Sequence, residues 1–136
     1  MITLDQKQAL VQKAILAQQN AYAPYSEYKV GATLLTKSGK TFSGANVENA
    51  VYPLTICAER SAVVNAVSAG EQDFEAMAVV TRDGGSPCGG CRQVMAEFGV
   101  DMLVLIADDS GHIHHELTVE QLLPHSFNAK NLQSSS

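Results

Sequence analysis

Cysteine occurs three times in this chain, in two clusters, Cys57-Ala58-Glu59 and Pro87-Cys88-Gly89-Gly90-Cys91. Thiolates are good zinc donors, and a tetrahedral ion held by three of them keeps a fourth position open, which separates a catalytic zinc from a structural one. Cys88 and Cys91 stand three apart, so on the first turn of a helix their sulfurs share a face and can grip one ion. A redox dithiol has the same Cys-x-x-Cys spacing, and the upstream Cys57 shifts the balance to metal. If each cluster opens a helix, the positive end of the macrodipole favours the thiolate form that zinc needs. Glu59, two residues beyond Cys57, is placed to take a proton from water at the metal without ligating it. Arg60 can donate to the cysteine sulfurs and offset the negative charge that three thiolates leave on a divalent ion.

Helices and strands must position these groups. From about Thr3 to Ala21, Leu10, Val11, Ala14 and Ile15 recur at helical spacing. Lys29 to Thr36 and Thr41 to Val47 are rich in strand formers and flank the short Lys37-Ser38-Gly39-Lys40 turn, which predicts a hairpin. A second helix is expected from about Thr55 to Ala69, stopped by Gly70, then a buried strand from Glu75 to Thr81. The loop from Arg82 to Pro87 delivers the cysteine pair onto a third helix ending near Gly99. Asp101 to Ala107 and Ile113 to Leu117 are strands joined by too few residues for a parallel crossover, so they should be antiparallel. Thr118, with Glu120 and Gln121, opens a last short helix before Pro124. The order α-β-β-α-β-α-β-β-α describes an α/β fold, a single mixed five-stranded sheet flanked by helices, in one domain spanning residues 1–136.

Hydrophobic residues make up 46% and charged residues 17% of the 136, a globular composition without an apolar run of membrane-spanning length. Three thiols in one motif argue against a disulfide framework, and the start lacks the pattern of a signal peptide, so a cytoplasmic protein is expected. The formal net charge of −5 supplies no basic stripe for a phosphate backbone. A small neutral ligand fits better than nucleic acid.

Cys-Ala-Glu followed by Pro-Cys-x-x-Cys resembles the signature of the zinc nucleoside and nucleobase deaminases, in its three-cysteine variant. Further stretches, Tyr22-Ala23-Pro24-Tyr25-Ser26, Val30-Gly31-Ala32, Asn46-Val47-Glu48-Asn49-Ala50, Cys57-Ala58-Glu59-Arg60 and Leu122-Leu123-Pro124, are similar to the small homotetrameric cytidine deaminases. The resemblance implies a cytidine deaminase-like fold and hydrolytic, zinc-dependent deamination of cytidine and 2′-deoxycytidine to uridine and 2′-deoxyuridine, with release of ammonia, in pyrimidine salvage. It implies one zinc per subunit on Cys57, Cys88 and Cys91, proton transfer by Glu59 to N3 of the pyrimidine, and recognition of the base by the Ala58 backbone and the Cys88 carbonyl. It also implies that Asn46 and Glu48 bind the ribose 3′-hydroxyl, where the carboxylate would repel a 3′-phosphate. Arg60 would then act behind the metal ligands, and active sites would be completed by neighbouring subunits of a homotetramer, through Phe127 stacking on the base and Tyr52 at an intersubunit contact. One position departs from the pattern: Tyr28 stands where the family commonly has phenylalanine in the pyrimidine pocket, so its phenol must find a partner.

Three alternatives stand beside this expectation. The same chemistry could act on free cytosine or a cytosine-containing antibiotic of the blasticidin type; the Asn46-Val47-Glu48-Asn49 stretch favours a plain nucleoside. A structural zinc module would need a fourth protein ligand, which must be a histidine such as His112 or His114. A nucleic-acid-editing deaminase is disfavoured by the acidic charge and by the short connection between the last two strands.

Overall fold

The computed structural model describes residues 2–133, so residue 1 and residues 134–136 of the expected domain lie outside the described residues. Helix α1 (Leu4–Gln18) begins at a capping box in which Thr3 and Gln6 satisfy each other's backbone N–H groups. Strands β1 (Gly31–Thr36) and β2 (Thr41–Ala45) form the expected hairpin, followed by α2 (Ala58–Ser68), β3 (Phe74–Thr81), α3 (Gly89–Glu97), β4 (Leu103–Asp108), β5 (Ile113–Thr118) and the four-residue α4 (Val119–Leu122). The strands lie in the order β2-β1-β3-β4-β5. Only β3 and β4 are parallel, with α3 as their crossover; β4 and β5 are antiparallel, as their short connection required.

The sheet is covered on both faces, and alternation along β3 shows how. Ala76, Ala78 and Val80 pack with Leu10, Val11 and Ala14 of α1 on one side. Met77 and Val79 pack on the other with Ala58, Ala62 and Ala66 of α2, Met95 of α3 and Val119 of α4. Successive side chains of a strand point to opposite faces, so a strand buried on both reads as a continuous apolar run, and β3 does. Gly44 of β2 brings α2 close: a Cβ there would lie 2.4 Å from the Ala62 nitrogen and 2.8 Å from the Ala58 carbonyl. The first turn of α2 is thereby pressed onto the sheet.

Strands β1 and β4 start two residues later than expected, at Gly31 and Leu103, and three other element ends differ because of contacts made by Tyr22, Asn46, Val47 and Ile56. Helix α1 stops at Gln18 rather than near Ala21 because Tyr22 is drawn into a parallel bridge with Val47; its N–H donates to the Asn46 carbonyl at 2.9 Å. Strand β2 stops at Ala45, and the Asn46 side chain takes over the edge, accepting from the Val30 N–H at 2.9 Å and donating to the Tyr28 carbonyl at 2.9 Å. Helix α2 starts at Ala58 rather than Thr55, because Ile56 and Val47 exchange two backbone hydrogen bonds of 2.9 Å and hold the preceding chain extended. Two 3-10 turns, Tyr52–Leu54 and Ala129–Leu132, had no periodicity to announce them. Gly70, with φ +92°, follows α2 as its expected stop. Among the described residues no helix is long and apolar enough to cross a membrane.

Candidate active site

Because α2 starts late, Cys57 is its N-cap residue, and Cys88 occupies the same position on α3. Cys91 sits in the first turn of α3, fully buried, with its N–H donating to the Cys88 sulfur at 3.5 Å. Two helix N-termini therefore converge from one face of the sheet, beyond the carboxyl end of β3, where open α/β sheets bind ligands. The three sulfurs lie within 4.8 Å of one another. A tetrahedral zinc with bonds of about 2.3 Å spaces its ligand atoms about 3.8 Å apart, so the trio is the right size for that ion.

The electrostatics make the same point. Hydrogen bonding with Cys91 and with the Arg60 guanidinium, against partial burial, draws the Cys57 thiol down to about 5. The hydrogen bond to Cys57 and burial push Cys91 far up. Sulfurs in contact cannot all ionise alone, and a divalent cation between them is what lets three thiolates coexist. Among the described residues these cysteines are the only group of three or more potential ligands close enough to hold an ion. No histidine joins them: His114 instead bonds to Asp108 at 2.7 Å. The structural zinc module, which required a histidine in the fourth position, loses its basis.

Glu59 is only 5% exposed. Burial raises its pKa, with the Cys57 charge adding to the effect, while its own backbone N–H and the Cys91 side chain pull the other way. A carboxyl raised in this way is better suited than an exposed one to holding a proton between transfers. Arg60 donates from Nη2 to the Cys57 sulfur at 3.1 Å and is itself held more firmly protonated by that sulfur. Its Nε is buried without a hydrogen-bond partner among the described residues.

In front of these groups lies a cavity of about 250 Å³, lined by Cys57, Ala58, Glu59 and Cys88 at one end and by Tyr28, Val30, Asn46, Thr55, Val79, Thr81, Gly85 and Ser86 elsewhere. That is slightly below the usual size of a drug-sized pocket, and suits one small ring. A second hollow, about 400 Å³, is lined by Tyr25, Ser26, Glu48, Tyr52 and Thr55, so the two adjoin at Thr55. Glu48 accepts there from the Tyr25 N–H at 2.9 Å, the Ser26 N–H at 3.1 Å and the Ser26 hydroxyl, and its pKa is lowered chiefly by that hydroxyl. A cleft of about 360 Å³ between α1 and β2 holds neither thiol nor carboxylate.

The structure thus brings Cys57, Ala58, Glu59, Cys88, Cys91, Arg60, Tyr28 and Asn46 together and places Glu48 in the adjoining hollow. Phe127 lies outside the cavity of its own chain, 57% exposed, its carbonyl accepting from Gln93 Nε2 at 2.8 Å. Tyr52 is 70% exposed, its ring edge-on to Tyr25. The phenol that sequence left without a partner donates to Asp83 at 2.6 Å. Asp83 and Gly85 escaped the sequence reading because the 82–87 loop offers no periodicity, only the Asp-Gly-Gly punctuation of a turn, and Thr81 read simply as the end of the buried strand.

Comparison with known proteins agrees with this geometry. Residues 4–107 match the family described as the cytidine and deoxycytidylate deaminase zinc-binding region. The cytidine deaminase of Halalkalibacterium halodurans is 48% identical over 129 residues, covering 93% of this chain and 97% of that protein. The cytidine deaminase of Sporosarcina psychrophila is 45% identical over 126 residues, 90% of this chain and 92% of its own length. The crystal structure of cytidine deaminase from Burkholderia pseudomallei superposes with a TM-score of 0.85 at 44% identity, over 93% of this chain and 100% of that one.

Proposed function

The chain belongs to the cytidine and deoxycytidylate deaminase family, and from that premise we propose that it hydrolyses cytidine and 2′-deoxycytidine to the corresponding uridines and ammonia, as one catalytic domain serving pyrimidine salvage in the cytoplasm. The observation that carries the proposal is the pairing, at one cavity, of a three-sulfur site lacking a fourth protein ligand among the described residues with a buried Glu59.

Cys57, Cys88 and Cys91 would hold the zinc. Bound there, zinc supplies a Lewis acid that lowers the pKa of water to about 7 and so provides a nucleophile near neutral pH. Glu59 takes a proton from the attacking water and passes it to N3 of the pyrimidine, which makes C4 electrophilic. After the C4–O bond forms, the same carboxyl takes the second water proton from the new C4 hydroxyl and delivers it to the amine. The C4–N bond then breaks as the C4 carbonyl closes, leaving one water proton on N3 and the other on ammonia. Burial serves both steps, since a carboxyl with a raised pKa holds the proton between transfers. Arg60 donates to the Cys57 sulfur and partly neutralises it, so that the three thiolates would pass less charge to the metal and leave it a stronger Lewis acid.

Orientation falls to the rest of the pocket. The Ala58 backbone and the Cys88 carbonyl read the polar edge of the base, while Tyr28 supplies an aromatic face. Asn46 stands between the two hollows and Glu48 in the outer one, and together they receive the ribose 3′-hydroxyl. Glu48 leaves no room for a 3′-phosphate charge, and the net charge of −5 adds to that exclusion of polynucleotides. Tyr22, Tyr25, Val51, Tyr52, Leu54 and Ile56 leave an apolar surface around the outer hollow, each at least 45% exposed. Such a surface is covered in an assembly, here a homotetramer in which Phe127 and Tyr52 of one subunit complete a neighbour's site.

Steady-state ammonia release from cytidine, 2′-deoxycytidine, cytosine and blasticidin S tests the substrate. Turnover of both nucleosides is expected. Efficient turnover of cytosine or blasticidin S with none of cytidine would overturn the assignment.

A further inference from the structure

The aromatic wall of the cavity is fastened at three points. The Tyr28 N–H donates to the Ser26 hydroxyl at 3.0 Å, its carbonyl accepts from Asn46 Nδ2 at 2.9 Å, and its phenol donates to Asp83 Oδ1 at 2.6 Å. The same carboxylate oxygen accepts from the Thr81 hydroxyl at 3.2 Å, which accepts in turn from the Gly85 N–H at 2.7 Å. One carboxylate therefore ties the loop carrying Tyr28 to the end of β3 and to the loop leading into Cys88. Asp83 is not among the residues that line the cavity. The Arg82 guanidinium lies 4.9 Å from the centre of the Tyr28 ring and adds a cation–π contact.

The phenol crosses directly over Gly85. A Cβ built on Gly85 would stand 2.6 Å from the Tyr28 hydroxyl, while its next neighbours, Asp83 Oδ1 at 3.6 Å and the Thr81 hydroxyl at 3.7 Å, are at ordinary contact distance. The clash is thus with the phenolic oxygen alone. Tyrosine has two side-chain torsions, and with both ends of the residue bonded the ring cannot swing aside without moving the wall itself.

We propose that Asp83 is a positioning residue that pins the Tyr28 hydroxyl over Gly85, so that Tyr28 and Gly85 form a matched pair fixing the aromatic wall of the substrate cavity. The pairing is read from geometry; that the wall receives a pyrimidine rests on the function proposed above. A phenylalanine at position 28 would not need either partner, and a glycine at 85 is required here because the phenol occupies the space a Cβ would take.

The test compares Gly85→Ala, Tyr28→Phe, their combination, and Asp83→Ala in both the parent and the Tyr28→Phe background, with KM and kcat for cytidine, zinc content and melting temperature. Gly85→Ala is expected to lower the melting temperature and raise KM about ten-fold, with a much smaller change in kcat. Adding Tyr28→Phe to Gly85→Ala removes the clash and should return both quantities close to those of Tyr28→Phe alone. Asp83→Ala, an exposed position that does not threaten folding, should raise KM about three-fold in the parent and add nothing in the Tyr28→Phe background. Gly85→Ala indistinguishable from the parent, no rescue by Tyr28→Phe, or an equal effect of Asp83→Ala in both backgrounds would each overturn the pairing. A parent protein that releases no ammonia from cytidine, while Tyr28→Phe still restores the melting temperature of Gly85→Ala, would uphold the pairing and defeat the substrate assignment instead.

Discussion

At the inner end of the cavity, Glu59 is 5% exposed and Cys91 fully buried, on two helix N-termini pressed against a sheet whose strands are packed on both faces. At the outer end, Tyr52 is 70% exposed and Glu48 is occupied with the backbone of the 25–26 turn, while Phe127, outside the cavity of its own chain, is 57% exposed. The contrast separates two tasks. Proton transfer and metal binding need groups held to fractions of an ångström in a dry site, and regular secondary structure packed on a core supplies that rigidity. Recognition of a sugar, on the proposed function, would fall to loops and, on the proposed assembly, to a second copy of the chain. On the proposed assembly, the inner end is complete within one chain and the outer end is not.

The strongest way to break that contrast is Glu59→Gln. Ammonia release should fall by about 10²- to 10⁴-fold, the usual span of a general acid/base, while metal analysis still finds one zinc per chain. Loss of zinc along with turnover would make Glu59 a ligand and remove the distinction between the metal and its proton carrier.

Asn46 stands between the two ends, and its side chain satisfies the Val30 N–H and the Tyr28 carbonyl. Asn46→Ala leaves both without that partner, which should cost about 1–3 kcal/mol of stability in a denaturant titration and raise KM for the nucleoside. An unchanged unfolding midpoint would show that water replaces the amide freely.

At the outer end, Phe127→Ala should raise KM by about ten-fold or less through loss of an aromatic contact, with kcat close to the parent's and assembly followed by gel filtration. A collapse of kcat would place Phe127 in the chemistry and blur the two tasks. The smallest effect belongs to a group that lines neither hollow. Asp108 has its pKa depressed, by the Ser110 hydroxyl first and then by the His114 ring. A depressed carboxyl stabilises the fold above its ordinary range and loses that contribution as pH falls through it. Asp108→Asn should therefore melt below the parent at pH 7, with the gap closing below about pH 4, and turnover should not move. A gap that is constant with pH would deny the charge any part.

How much of this was legible in the sequence follows the same division. Cys57, Cys88, Cys91 and Glu59 could be found from spacing alone, because metal chelation and helix geometry both restrict spacing. The sheet and its antiparallel last pair followed from alternation and from the short connection before Ile113. The exact entry of α2 was not legible, since it depends on Val47 and Ile56, nine residues apart, exchanging backbone hydrogen bonds. The Tyr28–Asp83 bond, across 55 residues, has no local signature at all. What periodicity and motif cannot carry is contact between loops, and Tyr28, Asn46, Thr55, Gly85 and Ser86 in the wall of this cavity are loop residues.

The central claim is that three thiolates hold a zinc on which a nucleoside deamination depends. Ammonia release from cytidine, measured with the metal removed by a chelator and again after stoichiometric zinc is restored, tests it most directly. Activity should vanish on chelation and return with one zinc per chain; undiminished turnover by protein shown by elemental analysis to be metal-free would contradict the account.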